Sequence, residues 1–189
     1  MRSLFGDPGF AELVGEAAAE PAGSRGLLML PYFAGERTPI SDPDARGLIL
    51  GLTVEHTRGA LYRAALEATA FGIRHNIEEM RAAGAVIDRI VAVGGGTQST
   101  LWPQIVSDVT GLTQQLPAVT IGASLGAARL AAEMVGVDAG EWNTAGTELH
   151  PQPANQSVYD ELYRHYLTLY PATRDAAHAL AALQRASAE

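Results

Sequence analysis

The stretch Val91-Ala92-Val93-Gly94-Gly95-Gly96-Thr97-Gln98-Ser99 decides how this sequence folds. Residues 90–93 are a short, apolar, mostly β-branched run, which predicts a buried strand. Three glycines end that strand, and the helical spacing over 101–106 then predicts a helix with Ser99 as its N-cap. A strand, a glycine turn and a capped helix let a flat or anionic ligand approach the backbone closely. The alternative is a glycine turn that only allows the helix to pack against the strand.

Two common nucleotide-binding motifs do not fit this turn. A dinucleotide-binding turn has the pattern Gly-x-Gly-x-x-Gly and an acidic residue about 20 residues later. Here Ser99 stands at the last glycine position, and no acidic residue lies within 116–122. A P-loop requires a lysine, and the thirteen basic residues of this sequence are all arginine.

Composition limits the classes of function. With 189 residues, 47% of them hydrophobic, the chain is long enough for about one domain with a buried core. The net charge of −8 argues against nucleic-acid binding through a basic surface. The absence of cysteine excludes disulfides and thiol chemistry. We expect a cytoplasmic protein, because the sequence shows neither a signal peptide nor an apolar run of membrane-spanning length.

Strands and helices alternate along the predicted chain. Apolar runs predict strands at 27–30, 47–52, 90–93 and 112–116. Helical spacing predicts a long helix that ends near 83 and is capped by Thr53 or Thr57, and further helices at 99–111, 122–135 and 156–184. We expect the last helix to break at Pro171 and residues 136–153 to be a connection. This order predicts an α/β domain with a mainly parallel sheet that includes the strands near 27–30, 90–93 and 113–116.

The long helix at 57–83 has a bulky apolar face and a small-residue face. The bulky face contains Leu66 and Ile73, which we expect to be nearly fully buried. In the helix at 122–135, small residues predict close packing against the sheet. A stripe of tyrosines in the last helix is typical of a core or an interface.

The loop at 34–44 and two histidines are further candidate sites. Glu36, Arg37 and Asp42 could orient a polar ligand, or they could pin the loop through their own ion pairs. His56 and His75 lack partners at metal-ligand spacing, so we predict no metal site.

Four ordered stretches resemble the xylulokinase-like sugar kinases of the FGGY family. Residues 30–39 (LPYFAGERTP) resemble that family's LPYLxGERTP stretch, and residues 56–68 (HTRGALYRAALEA) resemble the helix that follows it. Residues 94–111 (GGGTQSTLWPQIVSDVTG) resemble a second family signature, and residues 125–131 (LGAARLA) and the tyrosine-rich tail also fit.

The resemblance implies an actin-like, ribonuclease-H-like ATPase lobe with a mixed sheet flanked by helices. It implies that residues 1–189 are the C-terminal, nucleotide-side lobe, with 154–189 as a helical extension. The family transfers the γ-phosphate of Mg²⁺-bound ATP to a sugar hydroxyl, and a xylulose-like sugar is implied here. By position, Gly95 and Ser99 match family residues at the nucleotide, flanked by Gly94 and Gly96; Asp108 is expected to be structural.

This sequence differs from the family pattern in three respects. The family's N-terminal lobe, which carries the general base, and the hairpin that opens the C-terminal lobe have no counterpart in these residues. Ile121 stands where the family often has glutamate. We therefore assign no catalytic residue. We expect Mg²⁺ and the sugar to bind mainly through the missing lobe, and we expect the isolated chain to be inactive.

A bare sheet edge predicts a homo-oligomer or a partner lobe. The alternative functions are one subunit of a split kinase and a non-catalytic remnant that binds nucleotide or protein.

Overall fold

A computed structural model describes residues 6, 8–140, 142, 144 and 146–187. In chain order the elements are α1 (Phe10–Ala19), β1 (Leu28–Leu30), β2 (Leu48–Leu50), α2 (Arg58–Ala82), β3 (Arg89–Val91), α3 (Leu101–Thr110), β4 (Thr113–Leu116), α4 (Ala123–Met134), β5 (Thr147–Leu149) and α5 (Pro153–Ala186). In this described part, no helix combines the length and the apolar character that a membrane span requires.

The strands form two small sheets. In the order β3-β4-β5, β3 pairs parallel with β4, and β4 pairs antiparallel with β5, so the larger sheet is mixed, as the resemblance implied. The prediction that β1 joins this sheet and that the sheet is mainly parallel was wrong. The chain after β1 folds back, so that β1 pairs antiparallel with β2 in a separate sheet. Residues 136–153 contain β5, whose three residues are too few to show a period.

Helix α2 begins and ends as predicted but buries a different face. Thr57 caps it by accepting a hydrogen bond from the Ala60 N–H, at 3.0 Å. The small face is buried, because α1 packs closely against it: a Cβ at Gly59 would lie 2.7 Å from the Glu16 carbonyl oxygen. Leu66 and Ile73 are only partly buried at the margin of the core, so the expectation of full burial was wrong.

The predicted burial of β3 and α4 was also wrong. Val91 is 52% exposed, and Ala132 is the one buried residue of α4. Helix α3 packs near β4 and β5, and Ile90 of β3 lies partly buried against the core, whereas Val91 and most of α4 stay exposed among the described residues. The apolar run at 90–93 therefore forms a strand, but that strand is not fully buried.

Helix α5 is continuous through Pro171, so the predicted break was wrong. Proline removes one backbone donor, but contacts on both sides of it hold the helix in place. Before Pro171, Tyr159, Tyr163 and Tyr166 are buried in the main core together with Phe71, which confirms the predicted core role of the tyrosines. After Pro171, the helix contacts the loop that follows β1.

Candidate functional site

The glycine turn lies beside the segment that leads into α4. The Ala92 N–H donates to the Gln115 carbonyl at 2.9 Å, which extends the pairing of β3 with β4. The Gly94 N–H then donates to the Thr120 carbonyl at 2.6 Å. The tertiary structure thus brings the turn after β3 next to the start of α4, two segments that lie more than 20 residues apart in sequence.

Gly94 has a backbone conformation that favours glycine. Its φ of 92° and ψ of −167° lie in a region that side chains with a Cβ rarely adopt. The Gly94 carbonyl accepts from the Thr97 hydroxyl at 2.8 Å and the Thr97 N–H at 3.2 Å. These bonds close a single 3₁₀ turn over Gly95–Gln98.

The three glycines have different surroundings. A Cβ at Gly94 or Gly95 would meet no described atom within 4 Å, so their backbone forms an open surface. A Cβ at Gly96 would lie 2.1 Å from the Trp102 ring, whose Nε1–H donates to the Thr69 hydroxyl at 2.9 Å. Gly94 and Gly95 therefore suit close approach by a ligand, whereas Gly96 matches the packing alternative.

Ser99 lies at the end of the same turn but is not the helix cap. Its backbone is extended, with φ −122° and ψ 154°, and Thr100 is the N-cap of α3 without a side-chain bond. The Ser99 hydroxyl makes no hydrogen bond to another described residue and is partly exposed. Its hydroxyl therefore retains unused hydrogen-bonding capacity.

Asp108 has a structural role, as predicted. Its carboxylate is buried, and Oδ1 accepts from the Gln104 side chain at 2.7 Å and from the Gln152 N–H at 2.8 Å. Oδ2 accepts from Asn155 at 2.8 Å. These bonds fix the beginning of α5 against α3.

A buried polar network surrounds Glu67 and was not predicted from the sequence. The Glu67 carboxylate accepts from Arg63 Nε, the Tyr159 hydroxyl, the Ser24 hydroxyl and the Gly23 N–H, at 2.7–2.9 Å. Burial raises the pKa of Glu67 and also that of Tyr159. Because its acceptors and donors are satisfied, this network joins α1, α2 and α5 rather than offering a reactive group. Its one sequence signal was a charged i, i+4 pair beside alanines.

No group of three or more His, Asp or Glu side chains that could hold a metal ion occurs within the described ranges. His56 and His75 lie apart, each with one buried ring nitrogen that lacks a described partner: Nε2 in His56 and Nδ1 in His75. The Glu36–Arg37 loop lies after β1 and lines an open cavity of about 460 Å³. Nothing in the described contacts joins it to the glycine turn.

Residues 6–134 match the sequence model of the C-terminal domain of the FGGY family of carbohydrate kinases. This chain belongs to that family. A xylulose kinase of Staphylococcus epidermidis is 32% identical over 181 residues, which cover 92% of this chain and 36% of the relative. A ribulokinase of Shouchella clausii is 34% identical over 177 residues, covering 87% of this chain and 32% of the relative.

The fold agrees with this FGGY assignment. The crystal structure of xylulose kinase from Rhodospirillum rubrum superimposes with a TM-score of 0.81 at 39% identity, covering 94% of this chain and 37% of that one. The FGGY chain described here therefore spans little more than a third of the length of the relatives that it matches.

Proposed function

We propose that this chain is the C-terminal, nucleotide-side lobe of an ATP-dependent carbohydrate kinase, with residues 154–189 as its helical extension. The observation that carries the proposal is the open backbone at Gly94 and Gly95, in a chain of the FGGY family. Exposed peptide groups without a Cβ allow a purine nucleoside to lie flat against the turn. Ser99, at the end of that turn, adds a hydroxyl that can donate to or accept from the ribose.

The chain's own residues would hold the nucleoside rather than perform the transfer. Gly94, Gly95 and Ser99 offer shape and backbone polarity, and Gly96 supports them by allowing the Trp102 ring to pack underneath. Transfer of the γ-phosphate of ATP requires Mg²⁺, groups at the phosphates and a base on the sugar hydroxyl. We propose that these are supplied by the part of the kinase that the relatives possess beyond this chain's span, so that this chain alone shows no turnover.

The names of the relatives indicate xylulose as the sugar. Xylulose kinases occur among both the curated relatives and the solved structures, whereas ribulokinases are comparably identical in sequence. We propose a ketopentose as the acceptor. A kinase of this type uses the cell's ATP, so the proposed location is cytoplasmic, in accord with a chain that lacks cysteine.

Exposed apolar side chains on β3 and α4 support the presence of a partner lobe, and we propose that together they form one apolar face. The outer edge of β3 pairs with no strand among the described residues. Val91 is 52% exposed, and on α4 Leu130 is 65% and Met134 is 87% exposed. Free strand edges and apolar patches of this kind bind other protein surfaces. We propose that the complementary lobe of the kinase covers this face, and that copies of the isolated chain associate through it when that lobe is absent.

Calorimetric titration with ADP tests the nucleoside site. The isolated chain should bind with a dissociation constant of about 1 mM or weaker, some −4 kcal/mol, because it holds the nucleoside without the phosphates. Gly95→Val should abolish binding and leave the fold intact, since its side chain would occupy open space. Gly15→Val is the control, because Gly15 is also open but lies in α1. Equal binding by the two variants would place the nucleotide elsewhere.

A further inference from the structure

The loop between β1 and β2 has a closed shape. The Glu36 N–H donates to the Asp42 carbonyl at 2.8 Å, and the Asp42 N–H donates back to the Glu36 carbonyl at 2.7 Å. Gly35, at φ +79°, lies so close to Pro43 that a Cβ would be 2.8 Å from the Pro43 carbonyl oxygen. The backbone pair therefore isolates residues 37–41 as a small, closed loop.

The Asp42 side chain connects this loop to α5. Its Oδ2 accepts from the Tyr170 hydroxyl at 2.5 Å and contacts His178 Nε2 at 2.7 Å, and its Oδ1 accepts from the Asp44 N–H at 2.9 Å. The carboxylate is only 11% exposed. The bonds from His178 and Tyr170 lower the pKa of Asp42 to about 2.

Two further contacts continue along the same helix. Arg46 Nε donates to the Gln184 side chain at 2.7 Å, and Arg185 pairs with Asp44. The C-terminal half of α5 thus contacts residues 42–46 at four side chains, which are Tyr170, His178, Gln184 and Arg185. This half of α5 lies outside the span that matches the family's domain model, whereas the loop lies inside it.

We propose that residues 170–186 of α5 act as a strap and that Asp42 is a positioning residue through which the strap fixes Glu36 and Arg37. Both residues line the cavity of about 460 Å³ together with Ala34, Gly35, Ser41 and Pro43. Without the strap, the loop would rest on its backbone pair, the bond from Asn76 to the Thr38 carbonyl and the packing of Ile40 against the core, and segments with so few contacts open locally at low cost. The strap keeps the Glu36 carboxylate, which accepts from the Arg37 and Thr38 N–H groups, in place at the wall of this cavity, where it can bind a polar ligand.

The strap extends the proposed function but does not depend on it, because its contacts lie apart from the glycine turn. Its test therefore measures the loop directly, by amide hydrogen exchange of the full 189-residue chain followed by NMR. The probes are the Glu36 and Asp42 amides, which donate across the closed loop, and the amides of α2 report on the core.

The variant Tyr170→Phe/His178→Ala removes both side-chain donors to Asp42. We expect the Glu36 and Asp42 amides to exchange at least about tenfold faster, because the buried Asp42 carboxylate loses both donors from the helix. Amides of α2 should be unchanged. Tyr170→Phe/His178→Gln, which restores one donor from the helix, should recover part of the protection.

The control is His165→Ala, an exposed histidine on the same helix before Pro171. It should leave the loop amides unchanged. The proposal is overturned if the double variant does not accelerate the loop amides, or if α2 amides accelerate equally, because the contacts would then contribute to global stability alone. Equal acceleration in His165→Ala would also overturn it.

Discussion

The Arg63 guanidinium donates to Glu67 across 2.9 Å inside the core, where the two side chains are only 8% and 2% exposed. Arg63 also reaches the Ala17 carbonyl and the Tyr159 hydroxyl, and so connects α2 to α1 and α5. A buried ion pair is costly to desolvate, but it is more costly to break when one partner stays behind. We therefore expect stability to depend strongly on this pair.

Arg63→Leu should lower the free energy of unfolding by about 3–5 kcal/mol, because it leaves the Glu67 carboxylate buried without its counter-charge. Urea denaturation measures the loss. Arg174→Leu is the matched control, since Arg174 lies 3.6 Å from Asp175 on the surface of α5. Its effect should be below about 1 kcal/mol. Equal stability of the two variants would contradict a structural role for the buried pair.

Phe71→Ala should destabilise the chain by about 3–5 kcal/mol. Phe71 is 1% exposed and contacts the rings of Tyr159, Tyr163 and Tyr166. Leu66→Ala should cost less, because Leu66 is only partly buried at the margin of this cluster. Thermal and urea unfolding of both variants measure the order, and a larger loss from Leu66→Ala would contradict the burial described here.

Gly96→Ala should disturb the turn, whereas Gly95→Ala should not. An added Cβ at Gly96 would collide with the Trp102 ring, and displacing the ring breaks its bond to Thr69. We expect a loss of about 1–3 kcal/mol and a change in tryptophan fluorescence for Gly96→Ala. Identical spectra and stabilities for the two variants would show that the ring does not pack on Gly96.

Asp42 should contribute to stability in a pH-dependent way. Its pKa in the folded chain is lowered from 3.8 to about 2, so the unfolded chain binds the proton more readily. The contribution is therefore present above about pH 4 and is lost as the pH falls towards 2. The difference in unfolding free energy between the unmodified chain and Asp42→Asn should shrink over this range. A difference that stays constant would contradict the lowered pKa.

Self-association of the isolated chain should depend on α4. Leu130→Glu/Met134→Glu places two charges on the exposed apolar face, and we expect it to reduce the average mass in light scattering at high concentration. Leu183→Glu on α5 is the control, because Leu183 is also exposed but lies elsewhere. A monomeric unmodified chain would argue against this face as an interface.

The amino-acid sequence by itself determined most of the local elements and the family. Thr57 caps α2, Gly111 ends α3 with φ 70°, and Gly94–Ser99 follows a strand as its glycines predict. These features depend on residues within one turn of each other. Whether Gly94, Gly95, Gly96 and Ser99 bind a nucleoside stays a prediction.

Only the tertiary structure decided which faces are buried and which distant residues meet. Leu66 and Val91 are as apolar as any core residue, yet burial depends on whether another element covers them, and none covers Val91 within the described residues. Similarly, Asp42 and His178 are 136 positions apart and meet because α5 continues past Pro171. Periodicity reports which side of an element is apolar, but a contact forms only where the chain brings two surfaces together.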